Sequence, residues 1–532
     1  MEQILTFLPG LFVLFVFSIG AWLMITKKLP SLLTLPLVAL IVLVAMVIYG
    51  NWGYYTGDLD QPRITYKIIM VNVIGDGVKS LHGSMILAFL GGILSFMMQK
   101  SGVAEQMIKN GAELIGDNPL GVGIFCMTLV GLMFTTIGGL GAVIMVSIVL
   151  LPLMATVGIP PLVAGGIMVI GISLGGTLNA GNWVLFVDGL KVPFETVKSF
   201  AIIVFIFVYA MGVCFISIEM WRLGALRSLA KMLTIVATTI AVALGLVWLI
   251  WIMRVGGEAA DPNAPAPAWL TALRVIVGVG LAGVIGIILN DIRSRIRRWR
   301  HQIVTIKWYA YLIPVIPLLL IMLYGMDSNA AFVFGILYAM LATARPGSIS
   351  FTIQSMIQGA SAVMPAIILF MGIGLIINVF KGPSNWNAVE NGAWPTIQAL
   401  QPYFIGMQPT PVVFVVVFSI FAPFALYRGP LNTWGLGFGV ANILTGTVGF
   451  SSPIIMGMLQ MVGQIQGICD PTNTWNVWLA NELRIDVQQL MIRTIPYVWV
   501  MAILGLVTCT FFFPVDMVSW KATLETAVEA AK

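Results

Sequence analysis

Charge is scarce in this chain. Only 9% of its 532 residues are Asp, Glu, Lys or Arg, while 59% are hydrophobic. A soluble domain carries roughly 25% charged residues, so a chain this poor in charge cannot cover a water-facing surface. Histidine is scarcer still. His82 and His301 are the two present, and with Cys126, Cys214, Cys469 and Cys509 they assemble no metal-ligand spacing. The cysteines lie far apart in apolar stretches without a C-x-x-C pair, and read as small apolar packing residues. No P-loop and no G-x-G-x-x-G opening a βαβ unit is found, which argues against ATP-driven pumping by this chain alone. No nucleophile–base pair points to an enzyme. The net charge of +6 is not a nucleic-acid footprint, because the basic residues sit in short loops where they report topology.

What is present is a succession of apolar runs. Each is long enough for the ~20 residues that cross a bilayer, and about a dozen are expected. The first, 4–25, has no basic segment before it and reads as a transmembrane helix, not a cleaved signal. Lys27 and Lys28 follow it; by the positive-inside rule they are cytoplasmic and the N-terminus is outside. The loop 51–76, with Asp58 and Asp60, suits the outside, and Lys100 and Lys109 return to the inside. Arg222, Arg227 and Lys231 form a further basic cluster. The segment 254–267 fits an outside loop. The run DIRSRIRRWRHQIVTIK at 291–307 is the strongest cytoplasmic marker, suited also to contact with anionic lipid.

Two stretches resemble each other: KSLHGSMILAFLGGILSFMMQKSG from Lys79 and QSMIQGASAVMPAIILFMGIGLIINVF from Gln354. Each leads to an apolar segment interrupted at its centre, FTTIGGLGAVIM from Phe134 and LYRGPLNTWGLG from Leu426. Sliding one on the other places Gly138 on Gly429, Gly139 on Pro430, Gly141 on Asn432, Ala142 on Thr433 and Gly158 on Gly449. Further helices break at GTLNAGNW and DPTNTWNVW, where Asn179 falls on Asn473 and Asn182 on Asn476. Loop signs make the repeats inverted. The expected fold is an all-α polytopic membrane protein of two inverted-topology repeats, each with a re-entrant hairpin and a broken transmembrane helix. The expected organisation is scaffold helices 1–78, repeat one 79–218, linker helices and basic loop 219–307, lead-in helices 308–353, repeat two 354–514 and a tail 515–532.

The interruptions are the expected site. Unpaired backbone groups are costly in hydrocarbon and survive where they line a cavity. Paired breaks near the midplane hold substrate and ion in secondary transporters. Gly138, Gly139, Gly141, Thr177, Asn179 and Asn182 come from the first half. Arg428, Gly429, Asn432, Thr433, Thr472, Asn473 and Asn476 come from the second. The bland reading of the glycines is close helix packing. Arg428, inside an apolar stretch, either clamps a substrate carboxylate or is a hairpin-tip arginine that pairs with backbone carbonyls or with Asp470. Asp470 either carries a coupling proton, ligates Na⁺ or neutralises Arg428. Asn179, Asp470 and Asn473 are the candidate Na⁺ ligands. Asp188 and Glu482 are expected at the membrane edge, and His82 as a hydrogen-bonded residue at a helix start. Trp52, Trp183, Trp394 and Trp475 read mainly as interfacial belt residues, with Trp183 and Trp475 also placed to line a cavity.

At these residues the chain resembles the ion transporter superfamily, which includes gluconate, lactate, citrate and dicarboxylate permeases and some Na⁺/H⁺ antiporters. FTTIGGLGAVIM, GIPPLVAGG, GTLNAGN, YRGPLNTWG and DPTNTWN carry the resemblance, over 79–218 and 354–514. The Ser-Asn-Thr tip of Na⁺-coupled dicarboxylate and citrate carriers is replaced here by Thr135-Thr136 and Leu431-Asn432-Thr433, and the general pattern is nearer the gluconate and lactate permeases. The resemblance implies H⁺- or Na⁺-coupled symport of a small organic anion by alternating access, in the inner membrane, by a homodimer without nucleic-acid partners or resident cofactor. The alternative is a cation/proton antiporter exchanging at Asp470.

Overall fold

The computed structural model describes residues 2–57, 62–116, 118–255, 267–298, 306–344, 348–383, 386, 392–404 and 410–513. Most of the acidic loop 254–267, part of the basic run 291–307 and the tail lie outside these. Two long apolar helices open the chain, α1 (Glu2–Ile25) and α2 (Ser31–Thr56). A π-helical segment, Ile68–Gly75, runs through the short α3 (Asp76–Lys79) towards α4 (His82–Ser101). Gly102 ends α4 in the left-handed conformation, which a residue without Cβ adopts at no steric cost. The chain then turns into α5 (Val103–Ile115).

The first hairpin is α6 (Pro119–Phe134) and α7 (Leu140–Thr156). Asn118 starts it by accepting the Leu120 N–H at 3.2 Å, with Pro119 preset for the first helical turn. The broken helix follows as α8 (Pro161–Thr177) and α9 (Ala180–Leu190), bent by 57°. Then come α10 (Phe194–Arg222), α11 (Leu229–Val255) and α12 (Ala268–Arg298).

Lead-in helices α13 (Val315–Tyr324) and α14 (Ser328–Ala342) precede the long α15 (Ser348–Lys381). Asp327 caps α14 by accepting from Asn329 and Ala330. After α16 (Pro395–Phe404), the second hairpin descends through α17 (Pro411–Phe421) and a 3₁₀ turn, Ala422–Arg428. It returns through α18 (Gly437–Ile443) and a π turn, Leu444–Val448. The second interrupted helix is α19 (Ser452–Cys469) with α20 (Thr474–Glu482), and α21 (Val487–Phe512) closes the fold.

The described residues contain nine helices long and apolar enough to cross a bilayer, or ten with the bent pair counted as one span. The count falls short of a dozen because the hairpin arms are short. At ~1.5 Å per residue, the 16 and 17 residues of α6 and α7 reach about 25 Å, less than the ~30 Å hydrocarbon core.

The helices that lead into the two halves, α4 and α15, pack along each other. At their crossing backbone meets backbone, with the Val363 side chain beside it. A Cβ on Gly92 would stand 2.7 Å from the Gly359 carbonyl oxygen, and one on Gly359 2.6 Å from that of Gly92. All four cysteines are buried and free, consistent with packing residues.

Candidate functional site

The two interrupted helices hold their ends by the same device. In the first, Asn182 donates from Nδ2 to the Gly176 carbonyl at 2.7 Å. In the second, Asn476 donates from Nδ2 to the Asp470 carbonyl at 3.0 Å, and to Ile468 at 3.1 Å. Donor and acceptor are six residues apart in both, which matches the register that superposes Asn182 on Asn476. Gly158 and Gly449, also superposed, both take positive φ, +80° and +86°. Each stands where the chain turns from a hairpin into an interrupted helix. The carbonyls freed by the first break are further met by Trp183, whose Nε1 donates to Thr177 at 2.7 Å. Asn179 caps α9 by accepting the Gly181 N–H at 2.9 Å.

Between the hairpins and the breaks lies a cavity of ≈950 Å³. Its wall includes Gly138, Gly139, Thr177, Asn179 and Asn182 from the first half, and Arg428, Thr433, Thr472 and Asn473 from the second. Nine of the thirteen expected substrate residues therefore share one space. The other four stand behind it or beside it. Gly141 faces the Gln99 side chain, and Gly429 is a packing residue whose added Cβ would lie 2.2 Å from the Phe424 carbonyl oxygen. Asn432 is fully buried and ties the second tip together, donating to Ala425 at 2.9 Å and accepting from Trp434 at 2.9 Å. Asn476 is the strut described above. By contrast, nothing lies within 4 Å of a Cβ placed on Gly138 or Gly139, so these two are not closely packed against a neighbouring helix.

Arg428 reaches the cavity from a constrained backbone. Tyr427 and Arg428 both have positive φ, +54° and +57°, a region that costs a non-glycine residue of order 1–3 kcal/mol. The Arg428 guanidinium makes one bond, from Nη1 to the Trp434 carbonyl at 3.4 Å. It forms no ion pair with Asp470. The Asp470 carboxylate instead accepts the Arg428 backbone N–H at 3.3 Å, Asn432 Nδ2 at 3.5 Å, and the Thr472 N–H and hydroxyl at 2.8 and 2.7 Å. Asp470 is 1% exposed and absent from the cavity wall. It is a tie between tip and break.

The three expected Na⁺ ligands are divided between the two breaks, with the Asn179 oxygen and the Asp470 carboxylate already accepting N–H groups. His82 begins α4, its Nδ1 3.1 Å from the Lys79 carbonyl. Asp188 accepts the Gly83 N–H at 3.1 Å, and Glu482 is exposed at the end of α20. Among the tryptophans, Trp52 is exposed, as a belt residue would be. Trp394 is buried and bonded through Nε1 to Val379, which corrects its reading as a belt residue. Trp183 and Trp475 line the cavity.

One wall of the site escaped sequence reasoning. Gln460, Gly463, Gln464 and Gly467 follow one face of α19 and border the cavity, with Gln466 beside them. Gln464 accepts from Ser173 of α8 at 2.7 Å, and Gln466 accepts from Thr433 at 3.1 Å. The signal was available: two glutamines four residues apart, interleaved with two glycines four apart, in an otherwise apolar span. Ser84 and Thr136 also line the cavity, each with a buried hydroxyl that has no protein partner, as has Nδ2 of Asn473. The charged side chains on the wall are Lys27 and Arg428, and no carboxylate stands among the described lining residues.

The described residues form an all-helical, multi-pass membrane protein built around a central cavity whose largely apolar wall carries a set of amides, hydroxyls and two cations. No family model and no curated protein matches the sequence. Among solved structures the fold is similar to that of MtrF from Neisseria gonorrhoeae, one of a class of antimetabolite efflux pumps. That likeness has a TM-score of 0.50 and 13% identity, and covers 92% of this chain and 96% of that one. The YdaH transporter of Alcanivorax borkumensis, whose topology is described as unusual, has a TM-score of 0.45 and 13% identity, covering 89% of this chain and 97% of that one. The fold is thus that of a solved membrane transporter. The likeness to MtrF is one of fold and does not extend to the ion transporter superfamily that the motifs resemble.

Proposed function

We propose that the chain is a secondary transporter of a small organic anion, driven by H⁺ or Na⁺ and working by alternating access between inverted repeats. The single observation that carries this reading is the charge of the cavity wall. Arg428 is presented there with all but one of its five N–H donors uncommitted within the protein, among neutral amides and hydroxyls, and no carboxylate stands among the described lining residues. A guanidinium fork of this kind suits a carboxylate. Neutral donors around it orient a ligand without the desolvation cost of further charges. The same wall argues against a cation/proton antiporter, which needs a carboxylate open to the ion. Membership of the ion transporter superfamily, placement in the inner membrane with the N-terminus outside, and a homodimer joined through the scaffold helices belong to the same proposal.

Proteoliposomes test it. A panel of mono- and dicarboxylates is offered with an imposed H⁺ or Na⁺ gradient. Gradient-dependent carboxylate movement is expected, and the effective gradient names the coupling ion. Na⁺-driven proton flux with no organic acid present would replace this reading by the antiporter.

A further inference from the structure

Away from the central cavity, α8, α10 and α21 enclose a second recess of ≈520 Å³. Leu162, Ile218, Ile492 and Pro496 form its apolar side, while Arg222, Gln489, Arg493 and Tyr497 form its polar side. Behind it stands Glu219, fully buried on α10. Its Oε1 accepts from the Tyr497 hydroxyl at 2.7 Å and from Arg222 Nη1 at 3.2 Å, and its Oε2 forms an ion pair with the Arg493 guanidinium. Two arginines thus share one carboxylate, and the cluster carries one uncompensated positive charge. The donors are not used up either. Arg222, half exposed, commits only Nη1 to Glu219, and an Arg has five N–H groups to place.

The position of the recess says what would complete it. Arg222 is the last residue of α10, and Arg493 stands in the second turn of α21. Both are therefore close to one end of membrane-crossing helices. Above Arg493 the outward face of α21 is a strip of exposed apolar side chains: Ile492 at 63%, Trp499 at 38%, Val500 at 59% and Leu504 at 39%. A basic recess at a helix end, continued by an apolar groove along the helix, matches an anionic head joined to a hydrocarbon chain.

We infer that this recess is a binding site for a phosphate group, seated on Arg222, Arg493 and Gln489, with the headgroup of an anionic phospholipid as one source and soluble phosphate as the other. One negative charge neutralises the cluster, and the phosphate oxygens meet donors that the protein leaves open.

Native mass spectrometry of the full chain, released from mixed phosphatidylglycerol and phosphatidylcholine vesicles, reads the lipid arm. Losing one charge-assisted contact in Arg222→Gln should reduce selective retention of phosphatidylglycerol about tenfold. Gln489→Glu, at an exposed rim position outside the Glu219 network, should do the same by placing a carboxylate at the mouth. It keeps the test decisive if Arg222→Gln folds poorly. Inorganic phosphate added to delipidated protein reads the other arm. A thermal shift lost in the same variants supports the site with a soluble source. Equal retention of both lipids with no phosphate shift overturns the inference. So does selectivity that survives both substitutions.

Discussion

Arg428→Gln separates a substrate clamp from a structural arginine. The side chain has one weak tie to the protein, the 3.4 Å bond to the Trp434 carbonyl, so removing its charge breaks no ion pair. Its backbone N–H, which Asp470 accepts at 3.3 Å, is kept. Stability should therefore change by less than about 1 kcal/mol, the range of a single neutral hydrogen bond. Affinity should change far more. A hydrogen bond to a charged group contributes about 1.5–3 kcal/mol, so losing one weakens binding by roughly 10- to 150-fold. Arg428→Lys keeps the charge but loses the planar fork, and should fall between the two. The assay is substrate-induced thermal shift, run beside uptake into proteoliposomes. Unchanged Kd and uptake in a well-folded Arg428→Gln protein would refute the clamp. A large loss of stability with no substrate present would show that the arginine is structural instead.

Three further outcomes follow from the geometry. Tyr427→Gly relieves a positive φ of +54° but removes a part-buried ring whose hydroxyl donates to Gln488 at 3.2 Å, and should lower stability by about 1–3 kcal/mol; a raised midpoint on thermal unfolding in detergent would show that the backbone strain dominates. Gly359→Ala forces a Cβ against the Gly92 carbonyl and should destabilise by about 1–3 kcal/mol, whereas Gly138→Ala meets no atom within 4 Å and should fold normally while altering transport. Asn476→Ala leaves two buried carbonyls without their donor and should cost about 1–3 kcal/mol. Asn182→Ala frees one part-buried carbonyl on the cavity wall and should cost less; a larger loss at Asn182 than at Asn476, read by thermal unfolding, would refute this.

The membrane class was legible in composition, because a chain with so few charges has no soluble alternative. The positions of the breaks were also legible. Gly-Thr-Leu-Asn and Asp-Pro-Thr-Asn interrupt apolar runs with polar, turn-forming residues, of which Asn179 caps the helix that follows it. What the sequence hid was the division of labour among those residues. Asn432, Asn476 and Asp470 satisfy backbone groups, while Asn473 and Arg428 face the cavity with donors to spare. Nothing in residue type distinguishes these roles, since an amide serves a carbonyl and a ligand equally well. The glutamine wall of α19 was missed because no break or charge marks it. Trp394 was misplaced because a tryptophan near a loop can have its N–H met by a buried carbonyl as well as by the interface.

The Gly92–Gly359 crossing bears on how such a molecule moves. Helices usually meet by meshing ridges of side chains into grooves, and meshed ridges fix the crossing angle. Here two main chains touch at the wall of the cavity, with the Val363 side chain beside them. Such a contact opposes separation, which would open a void, and opposes approach, which the carbonyl oxygens forbid. The crossing fixes the distance between α4 and α15, and the Val363 methyl group beside Gly92 is what a change in their angle would have to pass.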